Sequence, residues 1–337
     1  MQQDNITKKY LNKTREMKMN NDNLPNKLNL SHLPTPLQRI SFRGAKFFIK
    51  RDDLTGTETT GNKIRKLDYL MYDVVKKKAK IVFTCGGDQS NHARATLYAA
   101  RALGIDARLY LWGKDTKNPD GNLFIDKILK PEIKFLNKEQ FMNVREIMKK
   151  DAEEIKDKNV YIIPEGGSSP IGIWGYIHSM SELYHLLDNR KINGILTAAG
   201  SGGTAAGLLI GSKLFGIPLK VFAVNVLYSK KQLEETVFNL VEQTCKIYKL
   251  KLEIKKSDLE ILDGYSQEGY KDISDDKMTL IKDFAFETGI LLDPTYTGKA
   301  FKAYYDNFLV NKKSSNTIFL HSGGLFGIFS KKEKYLS

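Results

Sequence analysis

The chain has 337 residues, of which 41% are hydrophobic and 27% charged, and its formal net charge is +14. This length suits one large or two moderate domains, and the hydrophobic fraction is sufficient to bury a core. The sequence contains no apolar run long enough to cross a bilayer, and its polar N-terminus lacks an apolar signal core. We therefore expect a cytoplasmic location and no membrane partner.

The cysteine count and the charge exclude further classes of protein. Two cysteines, Cys85 and Cys245, cannot form a disulfide scaffold or a four-cysteine zinc site, and we predict no metal. The positive charge would suit a nucleic-acid partner, but the lysines are spread along the chain and form no aromatic-interleaved motif. We expect no nucleic-acid binding. The charge would instead help to attract an anionic cofactor and carboxylate substrates.

In chain order, the sequence predicts an N-terminal arm followed by alternating strands and helices. Residues 1–33 indicate a loosely ordered arm with one short helix. Strands are predicted at 46–50, 80–84, 107–112, 159–163, 194–199, 219–226 and 317–321. Helices are predicted at 63–77, 90–103, 123–129, 138–155, 171–187, 204–214, 231–248, 277–288 and 297–307. This alternation predicts an α/β fold, with a mostly parallel sheet covered by helices on both faces.

Four glycine-rich turns follow predicted strands. They are Gly86-Gly87, Gly166-Gly167, Gly200–Gly203 and Gly323-Gly324. Ligands of parallel sheets bind at the carboxyl ends of the strands, where glycine permits close approach of the backbone. Each turn alone is explained by a tight connection to the next helix. The four together indicate one ligand that is gripped by backbone from several sides.

The segment Gly200–Thr204 follows an apolar strand and opens a helix. Its backbone N–H groups and the helix dipole favour an anion, and the hydroxyls of Ser201 and Thr204 can add hydrogen bonds. No Gly-Lys-Ser/Thr follows, so this is not a Walker loop, and the continuation to Ala205 instead of glycine breaks the dinucleotide fingerprint. The motif alone is equally compatible with a phosphate cup and with a structural turn.

Lys63 stands at the start of a predicted helix, directly after Gly61 and Asn62. A lysine that attacks an aldehyde needs a lowered pKa so that its amine is neutral. The helix N-terminus and the neighbouring cations Arg65 and Lys66 lower the pKa in this way. The alternatives are that Lys63 is an ordinary surface cation, or that Lys66 is the reactive amine.

Two further segments carry polar side chains at strand ends or turns. Residues 89–92 place an amide, a hydroxyl, an amide and an imidazole around one turn, which can bind a carboxylate and an aromatic hydroxyl. The alternative is that Ser90 or Asn91 simply caps the helix. Tyr296 lies in the middle of a turn, where it can orient a substrate or move protons, or be a half-buried ring.

Several of these motifs resemble the D-cysteine desulfhydrase and aminocyclopropane-carboxylate deaminase family of pyridoxal-phosphate enzymes. The resemblance runs from about residue 33 to 329 and rests on motifs in the family's order. These motifs are Arg51–Gly56, Gly61–Leu67, Gly86–Arg94, Gly200–Thr204, Tyr296–Lys299 and His321–Gly324. It implies the two-domain fold of the tryptophan synthase beta subunit (fold type II of these enzymes), with pyridoxal phosphate between the domains. It further implies a homodimer, with residues 66–174 as a small domain inserted into a large one formed by 1–65 and 175–337.

The resemblance also assigns roles by position. Lys63 matches the Schiff-base lysine, and Asn91 matches the residue that contacts the ring hydroxyl of the cofactor. The phosphate loop corresponds to Ser201, Gly202, Gly203 and Thr204. Ser90, Tyr270 and Tyr296 match hydroxyl residues near the substrate, and Gln89 and His92 are expected to bind it as well.

Two positions indicate the substrate. The deaminases of this family resemble each other in having Glu and Leu where this chain has Thr297 and Ser322, whereas the desulfhydrases carry hydroxyl residues at both, and His92 is also desulfhydrase-like. A hydroxyl holds a charged ring nitrogen less well than a carboxylate, which favours elimination of thiolate over ring opening. We expect a carbon–sulfur lyase that converts D-cysteine and water to pyruvate, hydrogen sulfide and ammonia. The alternatives are deamination of 1-aminocyclopropane-1-carboxylate, elimination from a related β-substituted amino acid, and a pyridoxal-phosphate carrier or sensor.

Overall fold

Two β-sheets and the helices around them make up the fold, which a computed structural model describes for residues 24–155, 159–187 and 190–336. The first 23 residues of the predicted arm lie outside this part of the chain. Across the described ranges, no helix has the length and apolar character needed to span a membrane.

Strands and helices alternate along the chain, as the sequence predicts. The strands are β1 (Leu37–Phe42), β2 (Ala45–Arg51), β3 (Ile81–Gly87), β4 (Asp106–Trp112), β5 (Glu132–Leu136), β6 (Val160–Ile162), β7 (Gly194–Ala199), β8 (Lys220–Asn225), β9 (Leu259–Leu262) and β10 (Thr317–His321). The helices are α1 (Asn62–Lys76), α2 (Asn91–Ala102), α3 (Gly121–Ile128), α4 (Lys138–Met142), α5 (Val144–Glu154), α6 (Trp174–Leu187), α7 (Gly203–Leu214), α8 (Lys230–Ile247), α9 (Asp275–Thr288), α10 (Thr297–Tyr304) and α11 (Lys332–Leu336).

The larger sheet has six strands in the order β1-β2-β10-β7-β8-β9, and the smaller has four in the order β5-β4-β3-β6. Only the β1–β2 pair is antiparallel among the pairings of the described strands. The parallel-rich α/β fold is therefore confirmed. All four strands of the small sheet fall within residues 66–174, although the domain limits themselves stay a prediction.

The central strands are covered on both faces. Every residue of β3, β7 and β10 is buried, as expected for parallel strands between two layers of helices. Successive side chains of β7 point to opposite layers: Ile195 packs in a cluster with α6 and α7, whereas Leu196 packs with α9 and α10. The ends of these strands are thus held rigidly, which fixes the turns that follow them.

The structure departs from the predicted elements in three respects, one of which is the short C-terminal helix α11, which was not predicted. The helix predicted at 138–155 is two helices, because Asn143 leaves the helical conformation and separates α4 from α5. The strands β1, β5 and β9 have no predicted counterpart. All three are edge strands, which pair on one side only and carry a weaker apolar pattern than the central strands.

Candidate active site

A cavity lies at the carboxyl ends of β7 and β10, beside the first turns of α1 and α2. It brings together many of the residues predicted from the sequence. These are Lys63, Asn91, Ser201, Gly202, Gly203, Thr204, Tyr296 and Ser322. Residues from distant parts of the chain therefore converge on one cavity.

The start of α1 is held tightly against the turn after β10. The backbone N–H of Asn62 donates to the Ser322 carbonyl at 2.9 Å. Gly61 has a φ of +105°, and a Cβ atom there would lie 2.8 Å from the same carbonyl oxygen. Only glycine fits this close approach and this conformation. The glycine therefore sets the position at which Lys63 enters the cavity.

Lys63 has the electrostatic environment of a reactive amine. Burial lowers its pKa to about 8, and the carboxylate of Glu165 opposes this shift without cancelling it. A substantial fraction of the amine is therefore neutral near physiological pH and able to attack a carbonyl carbon. Glu165 belongs to the turn after β6, where no motif in the sequence indicates a role for it.

The loop between β7 and α7 forms an anion cup. Gly202 adopts the left-handed conformation with a φ of +75°, and helix α7 begins at the next residue, Gly203. The Thr204 hydroxyl accepts a hydrogen bond from Nδ2 of Asn62 at 3.1 Å, which ties the cup to the helix that carries Lys63. Free N–H groups at a helix N-terminus favour a phosphate.

Lys66 adds a buried amine to this cup. Its amine is buried and donates to the Gly166 carbonyl at 3.0 Å and to the Ser168 hydroxyl at 3.2 Å. The Ser168 hydroxyl in turn contacts Oγ of Ser201 at 2.8 Å. Burial, and secondarily the charge of Lys63, lowers the pKa of Lys66. Both hydrogen-bond acceptors are neutral, so a phosphate in the cup would supply the counter-charge for this amine.

Three predicted substrate residues next to Asn91 are engaged within the protein. Ser90 caps α2, because its Oγ accepts from the backbone N–H of Ala93 at 3.1 Å. Gln89 accepts from the backbone N–H of Asn122 at 2.9 Å through Oε1. His92 is buried, and its Nε2 lies 2.9 Å from the Thr84 hydroxyl. None of the three lines the cavity, and their substrate contacts stay predictions.

The two predicted tyrosines form a pair. The Tyr296 hydroxyl lies 2.5 Å from the Tyr270 hydroxyl, and Tyr296 lines the cavity while Tyr270 stands behind it. Burial, and next the neighbouring Tyr270, raises the pKa of Tyr296 well above its ordinary value. The phenol of Tyr296 is therefore protonated at neutral pH and can donate a hydrogen bond into the cavity.

Thr297 and Ser322, which were both expected at the ring nitrogen, occupy different environments. Ser322 lines the cavity. Thr297 is fully buried, and its hydroxyl donates to Oδ1 of Asp293 at 2.6 Å. The Asp293 carboxylate also accepts from the backbone N–H groups of residues 295–297. The Thr297 hydroxyl thus stabilises a turn in this structure, and its contact with the cofactor stays a prediction.

The arrangement defines a class of site. A cup of backbone N–H groups, hydroxyls and a buried amine faces a second lysine amine with a lowered pKa, which fits a molecule with a phosphate at one end and an aldehyde at the other. A Cβ atom at Gly203 would lie 2.3 Å from Oγ of Ser168, so the cup requires glycine at its rim. Among the described residues, no group of three His, Cys, Asp or Glu side chains is placed to hold a metal ion.

Comparisons with known proteins identify the family. A family model described as "Pyridoxal-phosphate dependent enzyme" matches residues 28–323, so the chain belongs to the family of pyridoxal-phosphate-dependent enzymes. It is 38% identical to a putative 1-aminocyclopropane-1-carboxylate deaminase of Thermotoga maritima, over 91% of this chain and 99% of that one. It is 30% identical to the D-cysteine desulfhydrase of Klebsiella pneumoniae, over 90% and 95%.

A solved structure agrees with these relatives. The crystal structure of an ACC deaminase homologue (ACC is 1-aminocyclopropane-1-carboxylate) superimposes with a TM-score of 0.82 at 34% identity, covering 93% of this chain and 96% of that one. The predicted family, the fold type II architecture and pyridoxal phosphate as cofactor are thereby confirmed. Of the residues that line the cavity, Ser201–Thr204 and Lys66 would hold its phosphate and Lys63 its aldehyde carbon, and these roles stay predictions.

Proposed function

We propose that the protein catalyses β-elimination from D-cysteine, with water, to give pyruvate, hydrogen sulfide and ammonia. The observation that carries this proposal is the composition of the cavity wall. Ser322 offers a hydroxyl there, and the described residues that line the cavity include no carboxylate. The described part of the wall therefore contains no carboxylate that could keep a ring nitrogen protonated.

The chemistry follows from this difference. Pyridoxal phosphate, when bound, supplies an electron sink for electrons released at the α carbon of an amino acid. A carboxylate next to the ring nitrogen strengthens that sink by keeping the nitrogen protonated, and a hydroxyl does so less. Departure of thiolate, a good leaving group, needs a weaker sink than the opening of a carbon ring. The wall thus supports elimination.

The chain's own residues would perform the proton transfers. Nζ of Lys63 takes the α proton of the substrate as a neutral amine. The N-terminus of α2, with the Ser90 hydroxyl, holds the substrate carboxylate, because backbone N–H groups and the helix dipole favour an anion there. The Tyr296 phenol, which stays protonated at neutral pH, donates its proton towards the departing sulfur, and Tyr270 replaces it through their shared hydrogen bond.

Deamination of 1-aminocyclopropane-1-carboxylate is the second candidate. Its support is the higher identity to the Thermotoga relative of that name than to the Klebsiella desulfhydrase. The products separate the two reactions, since the ring-opening reaction yields 2-oxobutyrate and no sulfide. Purified enzyme is therefore assayed on D-cysteine, L-cysteine and 1-aminocyclopropane-1-carboxylate for sulfide, pyruvate and 2-oxobutyrate. Formation of 2-oxobutyrate without sulfide would replace the first proposal by the second, and no keto acid from any substrate would favour a carrier or sensor.

Variants test the assigned roles. Lys63→Ala is expected to abolish the covalent link and the visible absorbance of the bound cofactor, whereas Lys66→Ala weakens cofactor binding but keeps the band. The reverse result would make Lys66 the reactive lysine.

Tyr296→Phe is expected to lower kcat on D-cysteine about a hundredfold or more, which is the usual contribution of a positioned acid. The double variant Ser322→Ala/Thr297→Ala lacks both hydroxyls. If it turned over D-cysteine as fast as wild type, the proposed contribution of these hydroxyls to elimination would be wrong.

A further inference from the structure

A buried asparagine outside the cavity contacts Asn91, which lines the cavity. Asn122, in the first turn of α3, is fully buried. Its Nδ2 donates to the Gln89 backbone carbonyl at 3.0 Å and to Oδ1 of Asn91 at 3.1 Å. Asn91 itself lines the cavity, at the N-terminus of α2.

These two contacts fix the orientation of both amides. A backbone carbonyl oxygen only accepts hydrogen bonds, so the Asn122 atom beside the Gln89 carbonyl is the nitrogen. That nitrogen has a second hydrogen, which requires an acceptor, and the Asn91 atom facing it is therefore the oxygen. With Oδ1 of Asn91 held by Asn122, the group that Asn91 offers to the cavity is its amide nitrogen, a donor.

The chain around Asn122 is built to hold this arrangement. Oε1 of Gln89 accepts from the Asn122 backbone N–H at 2.9 Å, and Nε2 of Gln89 donates to the Asp120 carbonyl at 3.2 Å. Gly121 has a φ of +51°, and a Cβ atom there would lie 2.4 Å from the same Oε1. Oδ1 of Asn122 has no hydrogen-bond partner within the described ranges. The residue is therefore oriented through its donors.

We propose that Asn122 is a positioning residue, which turns the amide nitrogen of Asn91 towards the ring oxygen of pyridoxal phosphate. A donor at this oxygen stabilises its deprotonated, negatively charged form. If the amide of Asn91 rotated, its own oxygen would face the ring oxygen and repel it. This inference rests on the family's cofactor and on the ring contact predicted for Asn91, and it is independent of which amino acid is the substrate.

The test is a pH titration of the absorbance of the bound cofactor. In Asn122→Ala, Asn91 loses the contact that orients it. The midpoint of the titration should therefore rise by about one pH unit, the order expected when a charged group loses one hydrogen bond. Asn122→Asp presents only acceptors to Asn91 and should give at least the same rise. Asn137→Ala, which removes an exposed cap of α4, is the matched control and should leave the midpoint unchanged.

A double-mutant cycle separates positioning from a general loss of structure. In an Asn91→Ala background, the further change Asn122→Ala should not move the midpoint, because Asn122 acts through Asn91. Asn91→Asp keeps an acceptor for Asn122 but offers oxygen to the cavity, so its midpoint should rise even where the Asn122 variants fold poorly. An unchanged midpoint in Asn122→Ala and Asn91→Asp, or an equal shift in both backgrounds, would overturn the proposal. The wild-type spectrum and products test the proposed function separately.

Discussion

Arg65 lies on α1 two residues after Lys63, and its guanidinium is completely buried between two carboxylates. Nε donates to Asp52 at 2.8 Å, and Nη1 donates to Glu182 at 2.7 Å. The remaining cation of this cluster is Lys50, which lies 3.5 Å from Asp52 and 3.4 Å from Glu182. The replacement Arg65→Met keeps the aliphatic bulk and removes every donor. It leaves two buried carboxylates with one cation between them.

The expected cost is large because the four side chains of the cluster are almost completely buried. Removing one partner of a buried ion pair destabilises proteins by about 3–5 kcal/mol. Arg101 provides the matched control, since it forms a pair of similar length with Asp106, at 2.8 Å, in which the side chains are 37% and 46% exposed. Exposed pairs contribute about 1 kcal/mol or less. Arg101→Met should therefore change the free energy of unfolding by less than a third of the Arg65→Met effect.

The pH dependence supplies a second signature. Burial raises the pKa of Asp52, but the charges of Arg65 and Lys50 outweigh it and hold that pKa well below its ordinary value. The pKa of Glu182 is also lowered, because the charges of Arg65 and Lys50 outweigh the effect of burial there as well. The stabilisation therefore exists above the ordinary carboxyl pKa and is lost as the pH falls through and below it. In Arg65→Met, protonation relieves the unpaired charge, so the difference from wild type should shrink from pH 7 to about pH 4.

Urea titrations of wild type and both variants at several pH values measure this. An unpaired buried charge as the cause is refuted if Arg65→Met loses no more stability than Arg101→Met at pH 7. It is equally refuted if the difference from wild type is constant across the pH range, since loss of packing alone would not depend on protonation.

Two further predictions concern the cavity. The Glu165 carboxylate raises the pKa of Lys63, and Glu165→Gln removes that charge, so the pKa of Lys63 should fall. Cofactor-free enzyme should then capture pyridoxal phosphate with a pH midpoint below that of wild type. A higher midpoint would contradict the effect assigned to Glu165. Gly203→Ala should weaken binding of pyridoxal phosphate about tenfold, because the added Cβ atom crowds Ser168 and such overpacking costs about 1–3 kcal/mol. Gly327→Ala is the control, because a Cβ atom at this position would meet no other part of the protein within 4 Å. This variant should leave the binding of pyridoxal phosphate unchanged in the same equilibrium titration.

Local signals in the sequence predict much of this protein. The alternation of apolar strands and amphipathic helices depends on neighbouring residues, and it predicts the fold class and the central strands. The cup at Gly200–Thr204 and the position of Lys63 also depend on short motifs, in which glycines and a helix N-terminus stand at fixed spacing. The edge strands β1, β5 and β9 are missed because half-exposed segments carry a weak apolar pattern, whereas the fourth edge strand, β6, is predicted.

Only the tertiary structure decides how individual side chains are used. Thr297 binds Asp293, Gln89 binds the start of α3, and His92 contacts Thr84, because each of these polar groups finds a partner that folding brings within reach. The same folding places Lys66 beside the turn at Gly200–Thr204. Hydrogen bonds and desolvation depend on distances of a few ångströms between segments far apart in the chain, and no local pattern encodes those distances.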